Sequence, residues 1–142
     1  REFYAALRRV VEGSKLADRV LFTGHVPNVF APLAAADLFA MPSRSEGCCN
    51  ALQEGLAAGC PCISTIVGNA SDIIRSGENG LLVQRNDLAA LASEILRLAE
   101  DADLRRKLSA AARVRFAPTE NEYVERLFDL ASIAFLWEDT WS

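Results

Sequence analysis

One histidine and one methionine are all that 142 residues contain of those types. With His25 alone, no pair of histidines can share a metal or a proton, so any imidazole chemistry is tied to that one position. Aromatics are scarce at 8%, while alanine and leucine are common. That balance favours helices layered on a sheet over an aromatic-rich β-sandwich. No apolar run approaches the ~18 residues of a membrane span. No basic stripe interleaved with aromatics is present. With 15 basic against 19 acidic residues, the net charge is −4 and the pI is near 5.0. Nucleic acid is therefore an unsuited partner.

The cysteines lack metal spacing too. Cys48 and Cys49 are adjacent, and Cys60 and Cys62 are C-x-C, where zinc sites want C-x2-C pairs. They read as small buried thiols, and no metal is expected. A secretory leader is also missing: the first residues are mixed in charge and amphipathic, which gives a cytoplasmic expectation. What is present is a globular composition, 51% apolar and 24% charged, of about one domain's length.

Hydrophobic spacing gives the element order. Phe3, Leu7, Val10 and Val11 recur at helical spacing. Residues 20–23, Val-Leu-Phe-Thr before Gly24, read as a strand. Pro27 opens a helix to about Ala35. Residues 37–41 are a second strand, stopped by Pro42. A helix from about Cys49 to Ala58 follows, with Gly59 as its C-terminal cap. Residues 62–66 are a third strand. A short helical turn spans 72–76, with Ser71 as its expected N-cap. Asn79-Gly80 turns into a fourth strand, 81–83. Asn86 or Asp87 caps a helix striped with Leu88, Leu91, Ile95 and Leu98, and Asp101 caps the next. Thr119 and Glu122 form a capping box for a last helix.

Short strands, apolar on both faces and separated by helices, imply a doubly wound α/β fold: a Rossmann-like parallel sheet of about four strands with helices on both faces. Ligands of such sheets sit outside the carboxyl ends of the strands. The polar turn at 42–47, Pro-Ser-Arg-Ser-Glu-Gly, runs into a helix whose free N–H groups favour an anion. Gly47 lets a ligand approach the backbone. Glu46 lies in the turn, and Glu54 lies eight residues on, along the same helix. A carboxylate accepts two hydrogen bonds from a sugar diol. The simpler reading makes Glu46 a first-turn acid favoured by the helix dipole and Glu54 a solvated charge.

Residues 20–113 resemble the C-terminal domain of retaining GT-B glycosyltransferases of the family 4, or group 1, type. The likeness is carried by V-L-F-T-G-H-V at 20–26, A-A-A-D-L-F-A-M-P-S at 34–43 and E-G-C-C-N-A-L-Q-E-G-L-A-A-G-C-P-C-I-S-T at 46–65. It continues in V-G-N-A-S-D-I-I at 67–74, G-E-N-G-L-L-V at 77–83, D-L-A-A-L-A at 87–92 and L-R-R-K-L at 104–108. E-x7-E is the frame from Glu46 to Glu54.

The resemblance implies a transferase that takes a sugar from a nucleotide-diphosphate donor. Glu46 would be the catalytic-site carboxylate on the donor sugar. Gly47, Cys48, Cys49, Asn50 and Ala51 would lie beside sugar and diphosphate, and Glu54 would hold the ribose diol. Gly24, His25 and Val26 would lie near the nucleobase. No cofactor is implied, and transfer would be metal-independent. The whole chain, 1–142, would be an incomplete donor-binding domain, with 1–117 the α/β core and 118–142 a crossover helix and tail. The opening helix would be a mid-domain one. The family's diphosphate-gripping Arg and Lys, and its N-terminal acceptor domain, would belong to sequence before Arg1, so the chain alone would be inactive.

This sequence departs from the family pattern at Cys48, where Phe is frequent, at Cys49, where Gly or Pro is usual, and at Asn69, Ser71 and Asp72. A non-catalytic α/β nucleotide-binding or assembly module is the competing reading, with an epimerase or hydrolase of the same fold behind it. Arg44 reads either as phosphate counter-charge or as a surface ion pair. Arg105-Arg106-Lys107 reads as a solvated helix face, or as a peripheral membrane contact of the full protein. The apolar tail of Leu127, Phe128, Leu130, Phe135, Leu136, Trp137 and Trp141 would favour self-association.

Overall fold

The computed structural model describes residues 2–116. Helix α1 (Glu2–Glu12) is followed by a 3-10 turn (Ala17–Arg19) and by helix α2 (Phe30–Ala35). Strand β1 (Phe39–Met41), helix α3 (Asn50–Ala57) and strand β2 (Cys62–Thr65) come next. Helix α4 (Ala70–Ile73), strand β3 (Leu81–Val83) and helices α5 (Leu88–Glu100) and α6 (Ala102–Phe116) complete the order. The strands form one parallel sheet in the order β1-β2-β3.

Register decides which side chains share a face. Met41 pairs with Ser64 and Ser64 with Leu82, while Ala40 pairs with Ile63 and Ile63 with Leu81. Side chains alternate across a strand, so the two rows face opposite ways. Phe39, Met41, Cys62 and Leu82 join Cys49, Leu52 and Leu56 of the α3 side in one core. Ala40, Ile63, Leu81 and Val83 join Leu91, Leu98, Leu104 and Leu108 of α5 and α6 in the other. Helices therefore cover both faces, as expected of the doubly wound class. Gly55 lets α3 lie close: a Cβ there would stand 2.9 Å from Cys62 Sγ and 3.1 Å from Phe39 Cδ1.

The caps follow the expected chemistry. Asp87 Oδ1 accepts the Ala90 N–H at 2.9 Å, and Asp101 Oδ1 accepts the Leu104 N–H at 2.8 Å. Gly59 ends α3 at φ +73. The Arg105 guanidinium donates to the carbonyls of Leu98 and Ala99, closing the C-terminus of α5. Arg106 pairs with Asp103, and Lys107 Nζ donates to the Gly77 carbonyl at 3.2 Å. Each member of the basic run thus has a partner within the protein, while Arg106 and Lys107 remain exposed.

Three expectations are corrected. Residues 20–23 form no strand, so the sheet has three strands: a strand needs a ladder partner, none of the described residues supplies one, and Leu21 is 83% exposed. Helix α2 starts at Phe30 rather than Pro27, because the Asn28 side-chain carbonyl takes the Phe30 N–H at 3.1 Å. The turn expected at 72–76 is helix at Ala70–Ile73, entered through Asn69 and not Ser71. Helix α1 buries no residue, and its apolar side stays open, with Phe3 81% and Val10 69% exposed. Tyr4 meets Phe22 edge to face at 5.5 Å. The capping box at Thr119 and Glu122, the tail at Leu127–Trp141 and the 118–142 division lie outside the described residues.

Candidate functional site

Strands β1 and β2 end side by side, and their exits build one surface. After Met41 the chain turns through 42–49 into α3. After Thr65 it turns through 66–69 into α4. The Thr65 hydroxyl donates to the Ser43 carbonyl at 2.6 Å, locking the first turn to the end of the central strand. The Ser43 hydroxyl in turn donates to Glu46 Oε1 at 2.6 Å. That bond holds an otherwise exposed carboxylate in one orientation above the strand ends.

The second turn grips the first from the other side. Gly68 sits at φ +50, and a Cβ there would stand 2.9 Å from the carbonyl oxygens of both Glu46 and Gly47. Only glycine allows that approach. Asn69 Oδ1 accepts the Cys49 N–H at 2.9 Å. The Cys49 thiol points inward and donates to the Val67 carbonyl at 3.5 Å. Gly47 has open space around it, and Cys48, Asn50 and Ala51 are exposed.

Cys49 gives α3 no side-chain cap. The N–H groups of Asn50 and Ala51 therefore point from the helix start without a protein acceptor, and the positive end of the helix dipole lies there. Glu54 is one turn on from Asn50, on the same side, with its side chain leaning back toward the helix start. Glu54 is half-buried and has no hydrogen-bond or ion-pair partner among the described residues. Burial pushes its carboxyl above the ordinary glutamate value. A half-buried acid with nothing to hold is an open acceptor for hydroxyl groups.

The structure thus brings Glu46, Gly47, Cys48, Cys49, Asn50, Ala51 and Glu54 together on one turn and helix. Gly24, His25 and Val26 sit elsewhere in the chain path, on the irregular segment before α2, where Gly24 holds φ +64. Arg44 is exposed and unpaired among the described residues, and lines a cleft with Thr65, Asn86 and Asp87. Among the described residues no group of three His, Cys, Asp or Glu is placed to hold a metal. The clamp of Thr65, Gly68 and Asn69 escaped the sequence reading. The signal available for it was Gly-Asn directly after a buried strand of a parallel sheet, where a second ligand-facing turn belongs.

A family model described as "Glycosyl transferases group 1" matches residues 2–101. The chain belongs to the group 1 glycosyl transferases. N-acetyl-alpha-D-glucosaminyl L-malate synthase of Bacillus anthracis is 34% identical over 110 residues, 78% of this chain and 29% of that protein. 2-Deoxystreptamine N-acetyl-D-glucosaminyltransferase of Streptomyces fradiae is 37% identical over 108 residues, 75% of this chain and 26% of that protein. Among solved structures, Anabaena HepE in complex with UDP superposes with a TM-score of 0.79 at 22% identity, covering 92% of this chain and 37% of that one. Sucrose-phosphate synthase of Thermosynechococcus elongatus gives 0.76 at 28% identity, covering 93% and 34%. The group 1 segment seen here spans about a third of the length of these relatives.

Proposed function

We propose that this chain carries the donor half of a retaining glycosyltransferase, which moves a sugar from a nucleoside diphosphate to an acceptor. The observation that carries the reading is Glu54, half-buried, unpaired and raised in pKa, one turn inside an uncapped helix and eight residues beyond Glu46. Glu54 accepts the ribose diol. The N–H groups at the start of α3 face the diphosphate, and Glu46, held by Ser43, meets the hydroxyls of the donor sugar. Gly24, His25 and Val26 come to the nucleobase. The relative from Streptomyces fradiae, named as an N-acetyl-D-glucosaminyltransferase, supports the chemistry, and HepE, alike in fold, was solved with UDP and with UDP-glucose.

In this reading the helix start and basic groups offset the charge of the leaving diphosphate, and no metal is needed. The sugar passes through an oxocarbenium-like state with retention at the anomeric carbon. This chain binds nucleotide weakly and does not transfer alone, because the acceptor domain and further basic residues belong to the rest of the protein. Self-association through the apolar tail residues is part of the same proposal.

The test is release of nucleoside diphosphate by the full-length protein from UDP-, GDP- and ADP-sugars. Glu46→Ala should lower kcat/KM by about 100-fold with the tightest donor, and Glu54→Ala should raise KM by about tenfold. EDTA should leave both rates in place. Turnover near that of the parent in both variants would sink the assignment.

A further inference from the structure

Asn69 stands at the N-cap of α4, where an asparagine ordinarily spends its side-chain oxygen on an N–H of its own helix. Here it does not. It makes no side-chain cap, and the oxygen instead accepts the N–H of Cys49, 20 residues away in sequence and at the mouth of another helix. Two consequences follow from that one bond. The Cys49 N–H is removed from the set available to a ligand, which leaves those of Asn50, Ala51 and Leu52, with Asn50 and Ala51 the exposed residues among them. The turn at 46–49 is also pinned at its helix end, while Gly68 packs against it at Glu46 and Gly47 and Thr65 holds it at Ser43.

We infer that Asn69 is a positioning residue of the donor site: through Cys49 it fixes the start of α3 in the orientation that presents the Asn50 and Ala51 N–H groups to the diphosphate. The inference rests on the donor-site reading above. Asn69 touches no reacting atom and acts only through the turn. The oxygen, not the bulk of the side chain, is what matters. Substitutions that remove the acceptor should therefore loosen the turn, while one that keeps it should not.

The experiment is NMR on the full-length protein, reading amide exchange residue by residue and titrating UDP, GDP and ADP separately. In Asn69→Ala the Cys49 amide should exchange about tenfold faster or more, with Leu98 and Leu108 amides of the core unchanged. The nucleotide that binds the parent best should bind roughly 3- to 10-fold more weakly. Asn69→Gly, the second acceptor-less variant, should match it. Asn69→Asp, which keeps an acceptor, should restore slow exchange at Cys49. A Cys49 amide that stays protected in both acceptor-less variants, or one that is freed while affinity holds, overturns the inference and leaves the donor-site reading standing. No binding of any of the three nucleotides by the unsubstituted full-length protein overturns both.

Discussion

At the scale of residues, the two glutamates differ in a way that their spacing does not reveal. Glu46 is exposed and oriented by Ser43, while Glu54 is half-buried and alone. The E-x7-E frame was legible, but the burial that makes Glu54 an open acceptor depends on how α3 packs, which no spacing encodes. Its raised pKa has a definite sign in stability. The folded chain holds the Glu54 proton more tightly than the unfolded one, so the stability this contributes is complete below the ordinary value of 4.5 and is lost as pH rises through the folded pKa. Glu54→Gln should therefore raise the thermal midpoint of the unliganded chain at neutral pH, with the gain vanishing in acid. An equal gain at every pH would contradict this. The thiols make a second residue-scale prediction. Cys48 is exposed, whereas Cys49, Cys60 and Cys62 are buried; burial raises all three, Cys60 to about 11. Under native conditions at mild alkaline pH one thiol should react with an aromatic disulfide reagent, and four after unfolding.

Elements were read well where a single local rule decided them and poorly where a partner did. Asp101 and Gly59 are legible as caps, and Asp87 as one of two candidates with Asn86, because cap chemistry is local. Residues 20–23 have a strand's composition, yet pairing requires a neighbour, and the segment stays outside the sheet. Asn69 is not legible as a tie because its partner lies at the exit of the neighbouring strand, before another helix. Two glycines test the packing of α3. Gly55→Ala would press a methyl against Cys62 and Phe39 and should cost about 1–3 kcal/mol in denaturant unfolding. Gly68→Ala meets backbone oxygens at a positive φ, with no flexible side chain to yield. It should destabilise by a similar amount and weaken nucleotide binding as well, whereas Gly55→Ala should leave affinity close to the parent value.

For the whole molecule, the register of three parallel strands divides the core into an α3 face and an α5–α6 face, and both reach the same rim of strand ends. The fold class was legible because buried parallel strands alternate with amphipathic helices along the chain. The account's central claim is that the rim at α3 is a nucleotide-sugar site with Glu54 on the ribose. The most direct test compares, in the full-length protein, affinity for the preferred nucleoside diphosphate with affinity for its 2′,3′-dideoxy analogue, in the parent and in Glu54→Ala. The parent should lose about tenfold or more when the diol is removed, and Glu54→Ala should bind both forms alike. Equal discrimination by parent and variant would show that the diol is read somewhere other than Glu54.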